Sequence, residues 1–365
     1  MSEWQTFCLK DLGKIVGGAT PPTNNPKNYG NKIAWITPKD LSTLQGRYIK
    51  KGSRSISRLG FKSCSCVLLP KHAILFSSRA PIGYVAIAEK RLCTNQGFKS
   101  IIPNKKIYFE FLYYLLKYHK DNISNIGGGT TFKEVSGTTL GLFQVKIPPT
   151  YYEQQKIART LSVLDQKIEN NHKINELLHN FAHKVYEYYF KYKPKNAKLE
   201  QIIIENPKSS IMVKNAQKTQ DKYPFFTSGD NTLSYPKAII DGRNCFLNTG
   251  GNAGIKFYVG KASYSTDTWC IGANEFSDYL YLLLSSIKTH INQSFFQGTS
   301  LKHLQKNLLK KYPIYMPSAH EIKKFNQIIM PLLTLLSINT RTSKKLEQIR
   351  DFLLPLLLKQ QVKPQ

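Results

Sequence analysis

Acid is scarce in this chain. Its 23 Asp and Glu stand against 52 Lys and Arg, leaving a formal charge of +29 over 365 residues. That excess goes beyond what solubility needs and points to a polyanion, with a generally solvated basic surface as the plainer reading. No amphipathic Lys/Arg helix is present, which favours nucleic acid over membrane. Cysteine is sparse too. Cys8, Cys64, Cys66, Cys93, Cys245 and Cys270 include no C-x2-C pair, and no His lies at zinc-finger spacing, so neither zinc nor disulfides are expected. The longest apolar run, around Ile328–Leu336, is about half a membrane span and contains Pro331. Met1-Ser-Glu-Trp-Gln does not read as a signal peptide. A reduced, cytoplasmic protein is the expectation.

Catalytic motifs are absent as well. Gly254–Lys261 has five residues between its glycines and ends Gly-Lys-Ala, so it fails the phosphate-loop pattern. No segment carries a methyl-transfer signature. Asp165-Gln-Lys167 and Glu321-Ile-Lys323 satisfy half of a nuclease pattern but fall in helical stretches, where surface charge explains them better. Gly127-Gly-Gly129 is a flexible connection or, alternatively, a phosphate cradle.

What is abundant is helical periodicity. Between Pro148 and Tyr192, Ile157, Leu161, Leu164, Ile168, Leu178, Phe181 and Val185 recur at steps of three, four or their sums, which predicts one apolar face on a long helix. About forty residues at 1.5 Å each make a rod of roughly 60 Å that needs a partner. The partner is in the same chain. At an offset of 168, Ile157 falls on Phe325, Leu161 on Ile329, Leu164 on Leu332, Ile168 on Leu336, Leu178 on Leu346 and Phe181 on Ile349. Upstream, Phe111–Leu116 matches Tyr279–Leu284 at 168, and Gly129-Thr130-Thr131-Phe132 matches Gly298-Thr299-Ser300-Leu301 at 169. The chain reads as a tandem duplication.

The expected divisions are a first head (1–149), a first helix (150–192), a second head (193–316) and a second helix (317–360). The heads hold the charge, with 22 basic against 7 acidic residues in the first and 16 against 8 in the second. The helices are nearly neutral. Strands are expected at Ile33–Ile36, Cys66–Leu69, Ala73–Phe76, Gly83–Ala88 and Phe98–Ile102, and later at Tyr223–Phe226, Ala238–Ile240, Cys245–Leu247, Ile255–Val259 and Trp269–Ile271. The fold class is α+β, two heads with twisted sheets on two long helices.

Basic heads with polar loop tips suit DNA, since Arg matches guanine, Asn and Gln match adenine, and Ser and Thr reach bases or phosphates. The first-head candidates are Thr37, Lys39, Arg54, Arg58, Ser77, Ser78, Arg79, Asn95 and Gln96. Asn95 and Gln96 suit a closed turn equally well, and Arg79 a structural salt bridge. Ser228, Asn248, Thr249, Asn252 and Asp267 are their second-head counterparts, with the structural reading favoured.

The strings Ile33-Ala-Trp-Ile-Thr-Pro-Lys-Asp-Leu41, Ile74–Ala88 and Thr94-Asn-Gln-Gly-Phe98 closely resemble a target-recognition domain of type I restriction–modification specificity subunits. Pro148–Ile157 is similar to the start of that family's conserved helix, and Met316–Phe325 repeats it. The resemblance covers nearly the whole chain and is looser in the second head, where it rests on the Gly-Asn turns and Gly298-Thr299. Pro331 and Pro355 depart from an ideal second helix and would kink or break it.

The resemblance implies a subunit without catalysis of its own, whose two domains each read half of a split, asymmetric double-stranded DNA site. The helices pack antiparallel as a coiled-coil spacer, in a pseudo-two-fold arrangement, and bind two methyltransferase subunits. Restriction subunits complete the complex; S-adenosylmethionine, ATP and magnesium serve those partners. On the helices, Ile157, Leu161, Leu164, Ile168, Leu178, Phe325, Ile329, Leu332, Leu336 and Leu346 are the expected partner-binding residues. Replacing Leu161 and Leu164 by Asp should release the partner and leave the heads folded. Competing readings are the specificity subunit of a type II system and a non-catalytic nucleic-acid-binding scaffold.

Overall fold

The computed structural model describes residues 3–129, 133–216 and 222–364. They form two units, 1–169 with 349–365, and 170–348. These limits cut through both long helices, so each unit is one head plus stretches of both.

The long helices follow the periodicity. They run Tyr151–Phe190 and Ala319–Leu358, 40 residues each, and both ends are offset by 168. A hydroxyl cap paired with a Glu three residues on opens each one, and in the second the Ser318 N–H also donates to Glu321, completing a capping box. The Thr150 hydroxyl accepts from the Glu153 N–H at 3.2 Å and donates to its carboxylate, and Ser318 and Glu321 repeat the arrangement. The second helix continues through Pro331 and Pro355, against expectation. A proline inside a helix costs about 3 kcal/mol. Burial of Phe325, Ile329 and Leu333, each 0% exposed, offsets that cost around the exposed Pro331.

In the first unit a five-stranded sheet has the order Gly13–Gly17, Lys99–Pro103, Ile74–Phe76, Val85–Ala88, Tyr48–Ile49. A three-stranded sheet has the order Arg54–Ile56, Tyr29–Ile36, Cys93–Thr94. The helix Phe109–Asn125 buries six consecutive residues, Phe111 to Leu116. A helix apolar on every side must be covered on every side. It shares a core with Ile74, Phe76 and Ile87 of the sheet, with Ile157 and Leu161 of the first long helix, and with Leu354 and Leu357 of the second. The two long helices meet antiparallel here through Arg350 and Asp165 at 2.7 Å.

The second unit repeats the plan. Its four-stranded sheet is ordered Ile204–Glu205, Thr268–Gly272, Arg243–Asn248, Ile255–Val259, and its three-stranded sheet Leu233–Tyr235, Tyr223–Phe226, Ser263–Tyr264. The pairing pattern is that of the first unit, with one parallel pair in each small sheet, and among the described residues the short fifth strand has no counterpart. The helix Ser277–Ser286 begins 168 residues after its counterpart and is interrupted at Ile287 before Lys288–Ser294. Asn171 donates to Ser343 at 3.1 Å and Asn339 to Asn175 at 3.0 Å, an antiparallel register.

Two expected strands are loops. Cys66–Leu69 and Ala238–Ile240 make single bridges, Leu69 to Leu92 and Ile240 to Ala262. Of the duplicated Gly-Thr turn, Thr130, Thr131 and Phe132 lie outside the described residues. Gly129 and Gly298 both have left-handed backbone, φ +118° and +139°, which a side chain would strain.

Candidate nucleic-acid interface

The loops of the first head converge beside its small sheet. Gly18 lies against Thr94 and Asn95, Pro38 against Gly97, and the Thr20 hydroxyl donates to Gln96. The Asp40 carboxylate accepts from the Ser53 N–H at 2.7 Å, the Thr37 N–H at 2.8 Å and the Thr37 hydroxyl at 2.7 Å. Burial opposes its charge, but those donors hold Asp40 below the usual carboxylate range. Thr37 is thus a helix cap, not a free reader.

Most of the other hydroxyl and amide candidates also serve their own fold. Ser77 and Ser78 are 0% exposed. Ser77 donates to the Pro81 carbonyl and accepts from the Tyr84 N–H, both at 2.8 Å. Ser78 donates through its N–H (2.8 Å) and hydroxyl (3.3 Å) to the Gly97 carbonyl. Thr249 repeats that double bond on the Asp267 carbonyl, at 3.2 and 2.7 Å. The Ser78 and Thr249 carbonyls in turn accept from Val135 and Leu304, each at 3.0 Å. Ser78 with Gly97 and Val135, and Thr249 with Asp267 and Leu304, are one structural joint built twice. Asn95 accepts from the Gly97 N–H at 3.0 Å, closing an Asx turn. Ser228 bonds the Asp267 carbonyl and the Thr249 N–H, the Asp267 carboxylate accepts from Ser265, and Asn248 donates to the Asn252 carbonyl at 3.1 Å. Arg79 makes the alternative salt bridge, 3.5 Å from Glu134.

Lys39, Arg54, Arg58 and Gln96 in the first head and Asn252 in the second remain exposed. Arg54 lies 4.1 Å over the Tyr29 ring. Lys237 and Lys261 line one concavity with Tyr223 beside the second small sheet, and exposed Lys222 lies 5.4 Å over that ring. The sequence reading passed over these three lysines, whose signal is basic residues flanking an aromatic strand.

It also missed the buried arginines. Arg47, 3% exposed, bonds Glu110 and Glu169 at 3.1 Å each. Tyr48 donates to Glu110 at 2.6 Å, and Tyr114 to Asp165 at 2.6 Å. Burial alone would lower the Arg47 pKa, but Glu169 and Asp165 hold it above the ordinary guanidinium value. In the second unit Arg243 chelates Asp278 and donates to Thr334 at 2.9 Å. Asp278 is Glu110 plus 168. Each arginine therefore meets the same acidic position on the head's own short helix and also reaches a long helix, at Glu169 in one unit and Thr334 in the other.

The apolar stripe is corrected by burial. Ile157, Leu161, Ile168, Phe325 and Ile329 are at most 5% exposed, and all but Ile168 sit in the chain's own cores. Leu332 and Leu336 pack against the same second-unit core, and Leu164, Leu178 and Leu346 are half-buried. The five buried residues are closed to a partner, so Leu161→Asp would disrupt the unit that holds it. Phe181 and Ile349, expected on that inward face, are 51% and 47% exposed.

Among the described residues no group of three or more His, Cys, Asp and Glu is disposed to hold a metal ion, and no helix is long and apolar enough to cross a membrane. The description "Type I restriction modification DNA specificity domain" matches residues 1–180 and 195–348. The chain is 33% identical over 410 residues to the type I restriction enzyme MjaIX specificity subunit of Methanocaldococcus jannaschii, covering 98% of this chain and 93% of that one. The type I restriction enzyme HindI specificity subunit of Haemophilus influenzae is 30% identical over 177 residues, 46% of this chain and 37% of the relative. The crystal structure of a type I restriction–modification S subunit from M. genitalium superposes with a TM-score of 0.65 at 18% identity, covering 97% and 96% of the two chains.

Proposed function

This chain belongs to the type I restriction–modification DNA specificity family, and from that premise we propose that its two heads each read one half of a split, asymmetric double-stranded DNA site. One observation carries the reading. The heads share their sheet order and their Ser78/Thr249 joint, while the side chains exposed beside the small sheets differ. A shared frame with different tips suits two related but unequal half-sites. Basic heads supply phosphate contacts, and two linked readers gain effective concentration when both are engaged.

The chain acts without catalysis of its own. Two methyltransferase subunits dock on the long helices, through outward apolar residues such as Leu177 (69% exposed), Phe181 and Phe352 (68%) rather than through the buried stripe. Restriction subunits join them, S-adenosylmethionine, ATP and magnesium are used by those partners, and the complex works in the cytoplasm. The test is co-expression with methyltransferase subunits and sequencing of modified adenines in host DNA. A single split motif that disappears when this chain is deleted is the expected result; methylation unchanged by the deletion overturns the reading.

A further inference from the structure

The geometry points to Arg54 as the guanine-reading residue of the half-site bound by the first head, an inference that rests on the specificity reading above. Arg47, Arg79, Arg243 and Arg350 are all held by carboxylates. Arg54 has an aromatic platform instead, its guanidinium 4.1 Å from the Tyr29 centroid, and its side chain has no hydrogen-bond or ion-pair partner among the described residues. The platform is itself fixed. Tyr29 donates to the Pro21 carbonyl at 3.1 Å and packs edge-on to Trp35, whose indole N–H donates to Ala19 at 3.0 Å. A register shift between Tyr29 and Ile33 leaves both opposite Ile56, and Trp35 is paired with Arg54 across the strands. A stacked guanidinium loses little freedom on binding and keeps its N–H fork for a planar, two-acceptor edge. Guanine O6 and N7 form that edge in the major groove. In the second head Leu233 takes the place of Arg54, opposite Phe225, and its carbonyl accepts from Lys344.

The experiment compares the full chain with Arg54→Ala, Arg54→Lys and Tyr29→Leu, each co-expressed with the methyltransferase subunits, and reads the methylated motif genome-wide. In the unaltered protein one half-site contains a G·C pair. Arg54→Ala and Arg54→Lys relax that one position by about ten- to a hundredfold, Tyr29→Leu relaxes it less, and the other half-site stays as it was. Uniform loss with every position retained, rescue by lysine, or a half-site pair without guanine overturns the inference while leaving the specificity reading intact. No motif attributable to the chain overturns both.

Discussion

The two units present the same skeleton with different fastenings. Both hold a large sheet whose four matching strands are antiparallel, a small sheet with one parallel pair, and a helix carrying an acid at its second position, Glu110 or Asp278. In the first unit that acid meets Arg47, which precedes the short strand Tyr48–Ile49 and also reaches Glu169. In the second, the described residues hold no such strand and Arg243 arrives from the inner strand Arg243–Asn248, meeting Thr334 instead. The acid stayed in place while the arginine moved to whatever strand remained near it. The fixed point of the fastening is thus the acid on the head's own short helix, while the contact on the long helix differs, Glu169 in one unit and Thr334 in the other.

Disrupting the shared core should have the largest effect. Leu161→Asp, at a site 0% exposed, should cost more than about 4 kcal/mol and unfold the first unit, read as loss of one urea transition. Removing the fastenings comes next. Arg47→Met leaves Glu110 and Glu169 without their cation and should cost about 3–5 kcal/mol. Arg243→Met leaves Asp278, 2% exposed, and should cost less, because the Arg243 side chain is itself 17% exposed. Equal losses in urea melts would erase the distinction between the two. Acid should weaken both units. Burial holds His72 and His119 in the first, and His179 and His183 in the second, below the ordinary value of 6.5. The unfolded chain then takes up protons first, so stability is full above about 6.5 and falls as pH drops below it. A urea midpoint unchanged between pH 7.5 and 5.5 would contradict this. The smallest change in stability is expected at the outer apolar surface. Leu177→Ser and Phe352→Ser should alter it by less than about 0.5 kcal/mol and yet weaken capture of the methyltransferase subunits; undiminished capture would place docking elsewhere.

The long helices were legible because forty residues give several turns in which a 3.6-residue period can repeat, and the 168-residue offset then locates both ends. The strands of two or three residues, such as Tyr48–Ile49 and Leu233–Tyr235, offer no period to detect. Nor does periodicity say what a stripe faces. An inward stripe on one helix and a docking stripe for another protein are the same pattern, and here the pattern was Ile157 and Leu161 turned onto the chain's own sheet and helix. At the loop tips the difficulty was chemical. Ser78, Asn95 and Thr249 carry the groups that read bases, and the same groups close turns. Arg54 was legible as a candidate. Its distinction, a ring in place of a carboxylate, depends on Tyr29, 25 residues away across a bulge.

Because residues 349–365 complete the first unit, the order of synthesis runs against the order of assembly. Leu161 leaves the ribosome well before Leu354 and Leu357, which share its core. At about 5–20 residues per second the intervening 180 or so take roughly ten to forty seconds. During that interval the second unit has every residue it needs before the first does. The first head is thus finished after the second, and the nascent chain carries an open apolar surface through that interval.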